Sequence, residues 1–482
     1  MAETGPNRPR RGGDEGVLSH PADIARAKLA KKFLGVALGA VLIAGLLHQA
    51  WRHAPRWINT EQLGAVRVFP AWFRQRDVVY VFSGSDGWQH EDEEVARAYS
   101  LRGDYVAGID SSRFLQYLNQ LQPDCVFLPA MLEDYSHEEQ RATDTNRFSG
   151  AVLLGHDVGA TLVYIAQVQA PPLALRAAVA VDPQPRIALR VPLCDHSPSA
   201  RNTTAQTLKP EPLGSDAPAR LLLDSKATAS QRAFVAAVGH VSSDQHASIG
   251  PLAADRSLRA SYEAALAEID ADRARSGIVD LPLVEVPAEG ATNDAFAVIY
   301  SGDGGWRDLD RTLADILDAK GMSVVGVDVL RYYWKSKSPE VAARDLTRII
   351  GYYRSRWQRR KVVLIGFSFG ADVLPFLIDR LPADLRNAVS LVSLLSPERT
   401  GTFEVEPSGW FGRQSTSGIP IEPTLRHLSV IHLQCIYGAA EADTSLCTTR
   451  AAAADQVIRK IGGHHFDENY NQLANDILAA AR

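Results

Sequence analysis

Short runs of consecutive apolar residues recur along the chain and are followed by turns rich in glycine or acidic residues. In the second half they cover residues 295–300, 323–327, 362–367, 389–395 and 430–437. Unbroken apolar runs of this length are typical of strands that are buried on both faces, as in parallel sheets. The pattern therefore predicts an α/β fold, in which helices flank a parallel-rich sheet.

One of these runs ends in a motif that carries chemistry. Residues 362–365 lead directly into Gly366-Phe367-Ser368-Phe369-Gly370, and a helix-compatible segment follows. A Gly-x-Ser-x-Gly segment between a strand and a helix is typical of the nucleophile elbow of serine hydrolases. Glycines are needed there because a Cβ on either side of the serine would clash in the tight turn. We predict that Ser368 is a catalytic nucleophile.

A loop with two carboxylates follows the strand predicted at residues 430–437. It carries Glu441 and Asp443, just past the strand end where an α/β-hydrolase places its acid. A buried carboxylate is needed because it fixes the tautomer of the catalytic imidazole. We prefer Asp443 as the acid and keep Glu441, which is closer to the strand end, as the alternate.

The imidazole candidates come after the last predicted strand, residues 456–461. His464 directly follows a pair of glycines, and His465 is its neighbour. A serine hydroxyl is a poor nucleophile until an imidazole takes its proton. We predict His464 as the base, with His465 as the alternate, which completes the chain order Ser, acid, His of this fold.

A glycine-rich loop follows the strand predicted at residues 295–300. Its sequence is Ser301-Gly302-Asp303-Gly304-Gly305-Trp306, and its glycines let the backbone approach a substrate closely. Acyl transfer needs N–H donors aimed at the oxyanion. We predict the amides of Phe369 and Gly304 as these donors; the alternative is a turn that caps a helix through Asp303.

Several segments of this half together resemble the AcvB/VirJ family of bacterial virulence proteins. They are SGDGGWRDLD, VVGVDVLRYYW, LIGFSFGADVLPF, YGAAEADTSLC and GGHHFD. They lie within residues 280–482, and the additional upstream region resembles the long form, AcvB. The resemblance implies an α/β-hydrolase fold and a periplasmic enzyme that removes lysine or alanine from aminoacyl-phosphatidylglycerol.

The pattern of the second half also occurs in the first half. Three pairs of segments correspond to each other: residues 78–88 with 295–306, residues 105–110 with 323–328, and residues 151–160 with the elbow. Such a repeat predicts two tandem α/β-hydrolase-like domains. Asp157 stands in the place of the serine, and an irregular segment rich in Pro, Ser and Thr follows. We therefore predict a degenerate domain that shields or orients the neighbouring site, or binds lipid or a periplasmic protein; Asp157 as a nucleophile with His240 is the minority hypothesis.

The domain boundaries follow from these assignments. The degenerate domain is placed at residues 70–275, a linker at 276–293 and the catalytic domain at 294–482. A helix at residues 261–275 is expected to close the first domain, and Pro282 and Pro287 break the periodicity of the linker.

The N-terminal residues predict the compartment. Residues 1–24 are polar and are predicted to be a disordered cytoplasmic tail. Residues 25–51 hold four basic residues before the apolar run 33–47, which is typical of a signal peptide or an N-terminal membrane anchor. An uncleaved anchor is preferred because His48-Gln49-Ala50 is a poor cleavage site. The positive-inside rule then places the rest of the chain in the periplasm, and the alternative is a buried helix of a cytoplasmic protein.

The cysteines agree with an oxidising compartment. Cys435 and Cys447 flank the acid loop and are predicted to form a disulfide, and Cys125 and Cys194 are a second possible pair. No cysteine or histidine spacing is typical of a zinc site, so no metal is expected.

Composition narrows the remaining classes. The 482 residues are 46% apolar and 22% charged, with a net charge of −5, and no basic patch with interleaved aromatics is present. Nucleic acid is therefore not expected as a partner, and the absence of a Gly-x-Gly-x-x-Gly fingerprint gives no reason to expect a nucleotide cofactor.

Candidate substrate contacts follow from the positive charge of an aminoacyl group. The ammonium of a lysyl or alanyl ester would suit a carboxylate or an aromatic ring, and the candidates are Asp303, Trp306, Asp308 and Asp372. Residues 403–411, with Trp410, are a candidate lid. Two other functions stay open: a non-catalytic accessory or binding protein for secretion or virulence, and a generic carboxylesterase or thioesterase.

Overall fold

The computed structural model describes most of the chain after residue 51. The described residues are 52–73, 75–142, 150–194, 200–201, 205–213, 218–242, 247–251, 257–274, 278, 280–288, 290, 294–405, 418–428, 431–449 and 456–481. The predicted tail (1–24) and the predicted signal or anchor (25–51) lie outside them. Within these residues, no helix is both long enough and apolar enough to cross a bilayer.

Residues 55–482 form one compact unit that contains two large sheets. The first domain contains the following elements, of which β7, β8 and β9 form a separate small sheet: β1 (Arg56–Thr60), β2 (Gly64–Phe69), β3 (Val78–Phe82), α1 (His90–Leu101), β4 (Tyr105–Ile109), α2 (Ser111–Leu121), α3 (Leu128–Ala142), β5 (Ala151–His156), α4 (Val158–Gln169), β6 (Leu175–Val181), β7 (Arg186–Ile187), β8 (Ala200–Arg201), β9 (Gln206–Thr207), β10 (Ala219–Leu223), α5 (Ala229–Val241), β11 (Ala247–Pro251) and α6 (Leu258–Ala274).

The first domain has the strand order β1-β2-β4-β3-β5-β6-β10-β11. The strands from β4 to β11 pair in parallel, and β2 is antiparallel to β4. Buried residues of α1 and α6 cover one face of the sheet, and those of α2 to α5 cover the other. Since β1 and β2 join this sheet, the domain begins before the predicted residue 70.

The second domain repeats this plan. Its elements are β12 (Leu283–Val286), β13 (Ala295–Tyr300), α7 (Asp308–Ala319), β14 (Val324–Val327), α8 (Val329–Tyr332), α9 (Pro339–Arg356), β15 (Lys361–Phe367), α10 (Phe369–Asp379), α11 (Ala383–Arg386), β16 (Val389–Leu395), β17 (Thr400–Gly401), β18 (Ile419–Pro420), α12 (Glu422–His427), β19 (Leu433–Gly438), β20 (Gln456–Lys460) and α13 (Tyr470–Ala480).

The second sheet has the order β12-β14-β13-β15-β16-β19-β20. All pairs are parallel except β12 with β14. The apolar residues of α7 recur every four positions, at Leu309, Leu313 and Leu317, so one helix face is buried on the sheet beside α13. Both domains are therefore α/β, and the fold class predicted from the sequence is confirmed.

Part of the predicted linker belongs to the second sheet. Residues 283–286 form β12, whose four residues pair with β14 from Leu283 opposite Val327 to Val286 opposite Val324. Pro282 and Pro287 bound this strand instead of breaking a linker, because proline is tolerated at the ends of an edge strand. The predicted terminal helix of the first domain is present as α6.

Both predicted disulfides are present. Cys125 is bonded to Cys194, and Cys435 on β19 is bonded to Cys447, twelve residues further along the chain. The second bond closes a ring of chain that contains both acid candidates.

Removal of each disulfide should destabilise the protein by an amount that follows the length of the loop it closes. The separations are 12 residues for Cys435–Cys447 and 69 for Cys125–Cys194. The chain-entropy estimate is about 3 kcal/mol for the first and about 4 kcal/mol for the second. Urea unfolding of the Cys435→Ala/Cys447→Ala and Cys125→Ala/Cys194→Ala variants measures both losses. Unchanged unfolding free energies would contradict the expectation.

Candidate active site

Ser368 has the backbone geometry that a nucleophile elbow requires. It lies between β15 and α10 with φ 53° and ψ −119°, a conformation that is rare for a residue other than glycine. Its N–H donates to the carbonyl of Leu395 at 2.9 Å. A Cβ at Gly370 would collide with the carbonyl of Tyr300, and the helix can therefore pack closely on the sheet only with glycine there. The side chain of Ser368 is half-buried at the carboxyl ends of the strands.

The carboxylate that contacts the imidazole is Glu441. Its Oε1 lies 2.6 Å from Nδ1 of His464, whereas Asp443 is exposed and its carbonyl accepts a hydrogen bond from Arg399. The preference for Asp443 was therefore wrong about the partner of His464. A 3-10 turn at Ala439–Glu441 directly follows β19 and presents Glu441 toward the histidine loop, and Asp443 lies two residues beyond it.

This contact orients the imidazole. Nδ1 of a neutral ring can donate to Glu441, and Nε2 is then free to accept a proton from a hydroxyl. Burial acts to raise the pKa of Glu441, but the hydrogen bond and the charge of His464 outweigh it, so the net pKa lies below the usual value. Glu441 is therefore ionised and can stabilise an imidazolium.

The ring of Phe367 connects the elbow with the histidine loop. Its centroid is 5.0 Å from that of His464 and 5.6 Å from that of His465. Within the described residues, His464 and not His465 is hydrogen-bonded to an acid. The structure thus brings Ser368, His464 and Glu441 to one edge of the sheet.

The glycine-rich loop lies beside the serine. A Cβ at Gly302 would be 3.7 Å from the Cβ of Ser368, whereas Gly304 is exposed with open space around it. Gly305 has φ +82° and lies against the carboxylate of Asp328. The first part of the loop therefore lies beside Ser368, and its last part contacts Asp328.

The first domain shows which amide of this loop faces an anion. Asp157 has nearly the same conformation as Ser368, φ 51° and ψ −120°, and its carboxylate accepts from the N–H of Ser85 at 2.9 Å. Ser83-Gly84-Ser85 corresponds to Ser301-Gly302-Asp303. This internal comparison favours the amide of Asp303 over that of Gly304, the predicted donor.

Among the described residues of the first domain, Asp157 is not joined by the other parts of a hydrolytic site. The second oxygen of Asp157 accepts from Gln184 at 2.5 Å, and His240 is exposed within α5 and not in a loop after the last strand. Burial acts to raise the pKa of Asp157, but hydrogen bonds from Ser85, Gln184 and the backbone of Val158 outweigh it and lower the pKa. The carboxylate is therefore held as an anion by its own domain.

Another pair in the first domain was missed from the sequence. Nε2 of His156 lies 2.9 Å from Oδ1 of the fully buried Asp92. The corresponding residues of the second domain are Phe367 and Asp310, and burial raises the pKa of Asp310 well above its usual value. The repeat itself was the available signal, because it aligns His156 with Phe367.

Two of the predicted substrate contacts are inaccessible. Trp306 is 5% exposed and packs on Gly326, where a Cβ would collide with the indole ring. Asp372 is buried and accepts from the N–H of Glu398 at 2.7 Å, and burial raises its pKa well above the usual value. Asp303 is half-buried and Asp308 is exposed. These two remain available to a ligand.

The candidate lid is described only in part. Phe403 is buried against Tyr333 and Phe376, with ring centroids 5.9 and 5.6 Å apart. Residues 406–417, including Trp410, lie outside the described residues. In the part of the chain that the structure describes, no group of three or more His, Cys, Asp or Glu side chains is arranged to hold a metal.

The fold, the elbow and the Glu441–His464 pair define a protein of the α/β-hydrolase class. Residues 294–482 match the family model described as bacterial virulence protein (VirJ), which agrees with the resemblance noted in the sequence of this part of the chain.

Several solved structures are similar to the chain at low identity. A lipase-esterase related protein from Clostridium acetobutylicum is 13% identical, with a TM-score of 0.32, and the match covers 41% of this chain and 98% of that chain. An esterase from Pyrococcus furiosus is 13% identical with a TM-score of 0.31, over 42% of this chain and 93% of that chain. MenH from S. aureus is 10% identical with a TM-score of 0.31, over 41% of this chain and 97% of that chain. The comparison with curated proteins gave no match.

Substitution of the two acids should separate their roles. Glu441→Gln keeps the shape of the side chain but loses the charge that stabilises the imidazolium, so kcat for p-nitrophenyl butyrate should fall about 10²- to 10⁴-fold. Asp443→Asn is the matched control and should stay within about twofold of the wild type, as expected for an exposed residue. A larger loss in Asp443→Asn than in Glu441→Gln would restore Asp443 as the acid.

The lowered pKa of Glu441 predicts a pH dependence of stability. A carboxyl whose pKa is lower in the folded state stabilises the fold above its unfolded pKa, and this contribution is lost as the pH falls through the folded pKa. Between about pH 6 and pH 3, the wild type should therefore lose stability more steeply than Glu441→Gln. Urea unfolding across this range measures both curves, and parallel curves would argue against the linkage.

Proposed function

We propose that the second domain is a serine hydrolase that cleaves the aminoacyl ester of lysyl- or alanyl-phosphatidylglycerol. The observation that carries the hydrolytic part is the 2.6 Å contact between Glu441 and His464 at the sheet edge where Ser368 occupies its elbow. The substrate class rests on the resemblance to the AcvB/VirJ family.

The proposed reaction begins with attack of the Ser368 hydroxyl on the ester carbonyl while Nε2 of His464 takes the hydroxyl proton. The amides of Phe369 and Asp303 would donate to the oxyanion of the tetrahedral intermediate. As the intermediate collapses, the bond to the lipid oxygen breaks, and the imidazolium returns its proton to phosphatidylglycerol. Water, activated by His464, then hydrolyses the aminoacyl-serine and releases the amino acid.

The loop beside the serine offers a partner for the substrate ammonium. Asp303 is half-buried in this loop, and its carboxylate would pair with the α-ammonium of the aminoacyl group. Asp308 is exposed at the start of α7, two positions after the last residue of the loop, Trp306. Asp372 and Trp306 are left out of this role because both are buried.

The periplasm is the proposed compartment, and the membrane lipid is the proposed partner. The two disulfides are consistent with an oxidising environment, in which such bonds persist. Removal of a lysyl group would restore the negative charge of the phosphatidylglycerol head group. The enzyme would thereby tune the surface charge of the membrane that its N-terminal segment, residues 25–51, is predicted to reach.

A non-catalytic binding protein is the second candidate function. The first domain favours it for that half of the chain, since its elbow holds an aspartate that its own domain already binds. The second domain argues against it for the whole protein, because Glu441 contacts His464 at the sheet edge that carries Ser368.

Hydrolysis of lysyl- and alanyl-phosphatidylglycerol by the full chain in detergent micelles tests the proposal. The proposal is supported if the wild type releases free lysine or alanine and Ser368→Ala does not, because this substitution removes only the serine hydroxyl. Activity on p-nitrophenyl butyrate without activity on either lipid would favour a generic carboxylesterase. No serine-dependent activity on any of the three would favour the binding protein.

A further inference from the structure

Asp328 fixes the distal half of the glycine-rich loop. It follows β14, is fully buried, and accepts a hydrogen bond from the N–H of Trp306 at 3.4 Å. Its carboxylate also lies against Gly305, where an added Cβ would be 3.1 Å from Oδ1. The position of this one carboxylate therefore influences the loop whose other end, Gly302, lies beside Ser368.

Arg331 holds Asp328 in place. Its guanidinium donates to Oδ2 of Asp328 at 2.5 Å, and the backbone N–H of Arg331 donates to Oδ1 at 2.9 Å. The side chain of Arg331 is only 8% exposed. Removal of one partner of a buried guanidinium strongly destabilises the folded protein, because the charge is left uncompensated. The other partners of Arg331 therefore affect how firmly it holds Asp328.

The second acidic partner of Arg331 comes from the other domain. Glu133, on α3 of the first domain, accepts from the guanidinium of Arg331 at 2.7 Å. Glu133 is itself 14% exposed. Two carboxylates from different domains therefore share one buried cation.

The same helix contacts the surroundings of the loop at two further points. The ring of His137 stacks on Trp334 with centroids 6.1 Å apart and an interplanar angle of 28°. Burial raises the pKa of Asp134, and the positive charge of Arg307, at the N-cap position of α7, acts in the opposite direction. Helix α3 thus contacts the segment after α8 and lies near the start of α7.

The first domain contains an aspartate–arginine pair that is equivalent to Asp328 and Arg331. Asp110 corresponds to Asp328 and accepts from the N–H of Trp88 at 3.3 Å, and Arg113 corresponds to Arg331. However, Arg113 is 66% exposed and its Nε is 3.5 Å from Asp110. The loop, the aspartate and the arginine are common to both domains. In the second domain, the arginine is also buried and paired with an additional carboxylate, that of Glu133.

We propose that Glu133 is a positioning residue for the active site of the second domain. Through Arg331 and Asp328, it holds the loop from Asp303 to Trp306 in the geometry that stabilises the oxyanion. The degenerate first domain thereby supplies a structural part of its neighbour's catalytic site. This inference rests on the proposed function, because it requires Ser368-dependent acyl transfer.

The test is the Glu133→Gln variant of the full chain, assayed with p-nitrophenyl butyrate. The neutral amide keeps the shape but removes the charge that pairs with Arg331. We expect kcat to fall about tenfold while KM stays within about twofold, because the transition state depends on the loop more than substrate binding does. Inhibition by phenylboronic acid, whose tetrahedral serine adduct places an oxygen in the oxyanion site, should weaken by a similar factor.

Two matched variants control for general effects. Glu138→Gln changes another glutamate of α3, one that is paired with Gln62 of its own domain, and Arg113→Met removes the arginine equivalent to Arg331 from the first domain. Both should leave kcat and boronate inhibition unchanged. Thermal unfolding of every variant establishes the folded fraction at the assay temperature.

The outcomes distinguish the two proposals. In the first outcome, the wild type is more active than Ser368→Ala, and Glu133→Gln has the same kcat and boronate inhibition as Glu138→Gln. This result overturns the positioning role and leaves the proposed hydrolase function intact. The positioning role is also overturned if the decrease in kcat of Glu133→Gln is no larger than its decrease in folded fraction and boronate inhibition is unchanged. If the wild type is no more active than Ser368→Ala, both the proposed function and the positioning role are wrong.

Discussion

Both halves of this chain are organised by one steric constraint at the turn from the central strand into the following helix. The turn residue must adopt positive φ, and the residue two positions later must be glycine, because the helix packs directly on the neighbouring strand. Ser368 and Asp157 meet this constraint with φ of 53° and 51°. The constraint belongs to the fold and not to the chemistry, so it survives where the serine is absent.

What separates the two domains is how the space around the turn is filled. In the second domain, the ring of Phe367 lies against His464, which contacts Glu441. In the first, His156 occupies the place of Phe367 and is held by Asp92, and the carboxylate of Asp157 is bound by Ser85 and Gln184. Similar backbones thus present a half-buried serine in one case and a carboxylate held by hydrogen bonds in the other.

The sequence predicted the fold well because its strongest signals are local. Apolar runs such as residues 389–395 mark buried strands, and the repeat showed that the plan occurs twice. The preference for Asp443 failed because a 3-10 turn after β19 decides which carboxylate faces His464, and no periodicity encodes that turn. Strand β12 was missed since its four residues are too few to stand out between two prolines.

Contacts across domains were beyond sequence patterns for a related reason. Nothing in the residues around Glu133 indicates that α3 reaches Arg331, because the two are nearly two hundred positions apart and belong to different repeats. Arg331 and Arg113 occupy equivalent positions of the repeat, three residues after the paired segments 323–328 and 105–110. Only the packed structure shows that one is covered and the other exposed.

The Cys435–Cys447 bond has a consequence for the dynamics of the acid. Glu441 lies inside the closed ring, and both ends of that ring are buried, one of them on a strand of the central sheet. Ordinary loops open locally at little free-energy cost, while sheet strands open only with larger cooperative units. Since the ring is fixed at both ends, a large displacement of the backbone that carries Glu441 is coupled to opening of the sheet. Hydrogen-exchange protection at this edge would then follow the stability of the core and not that of the surface.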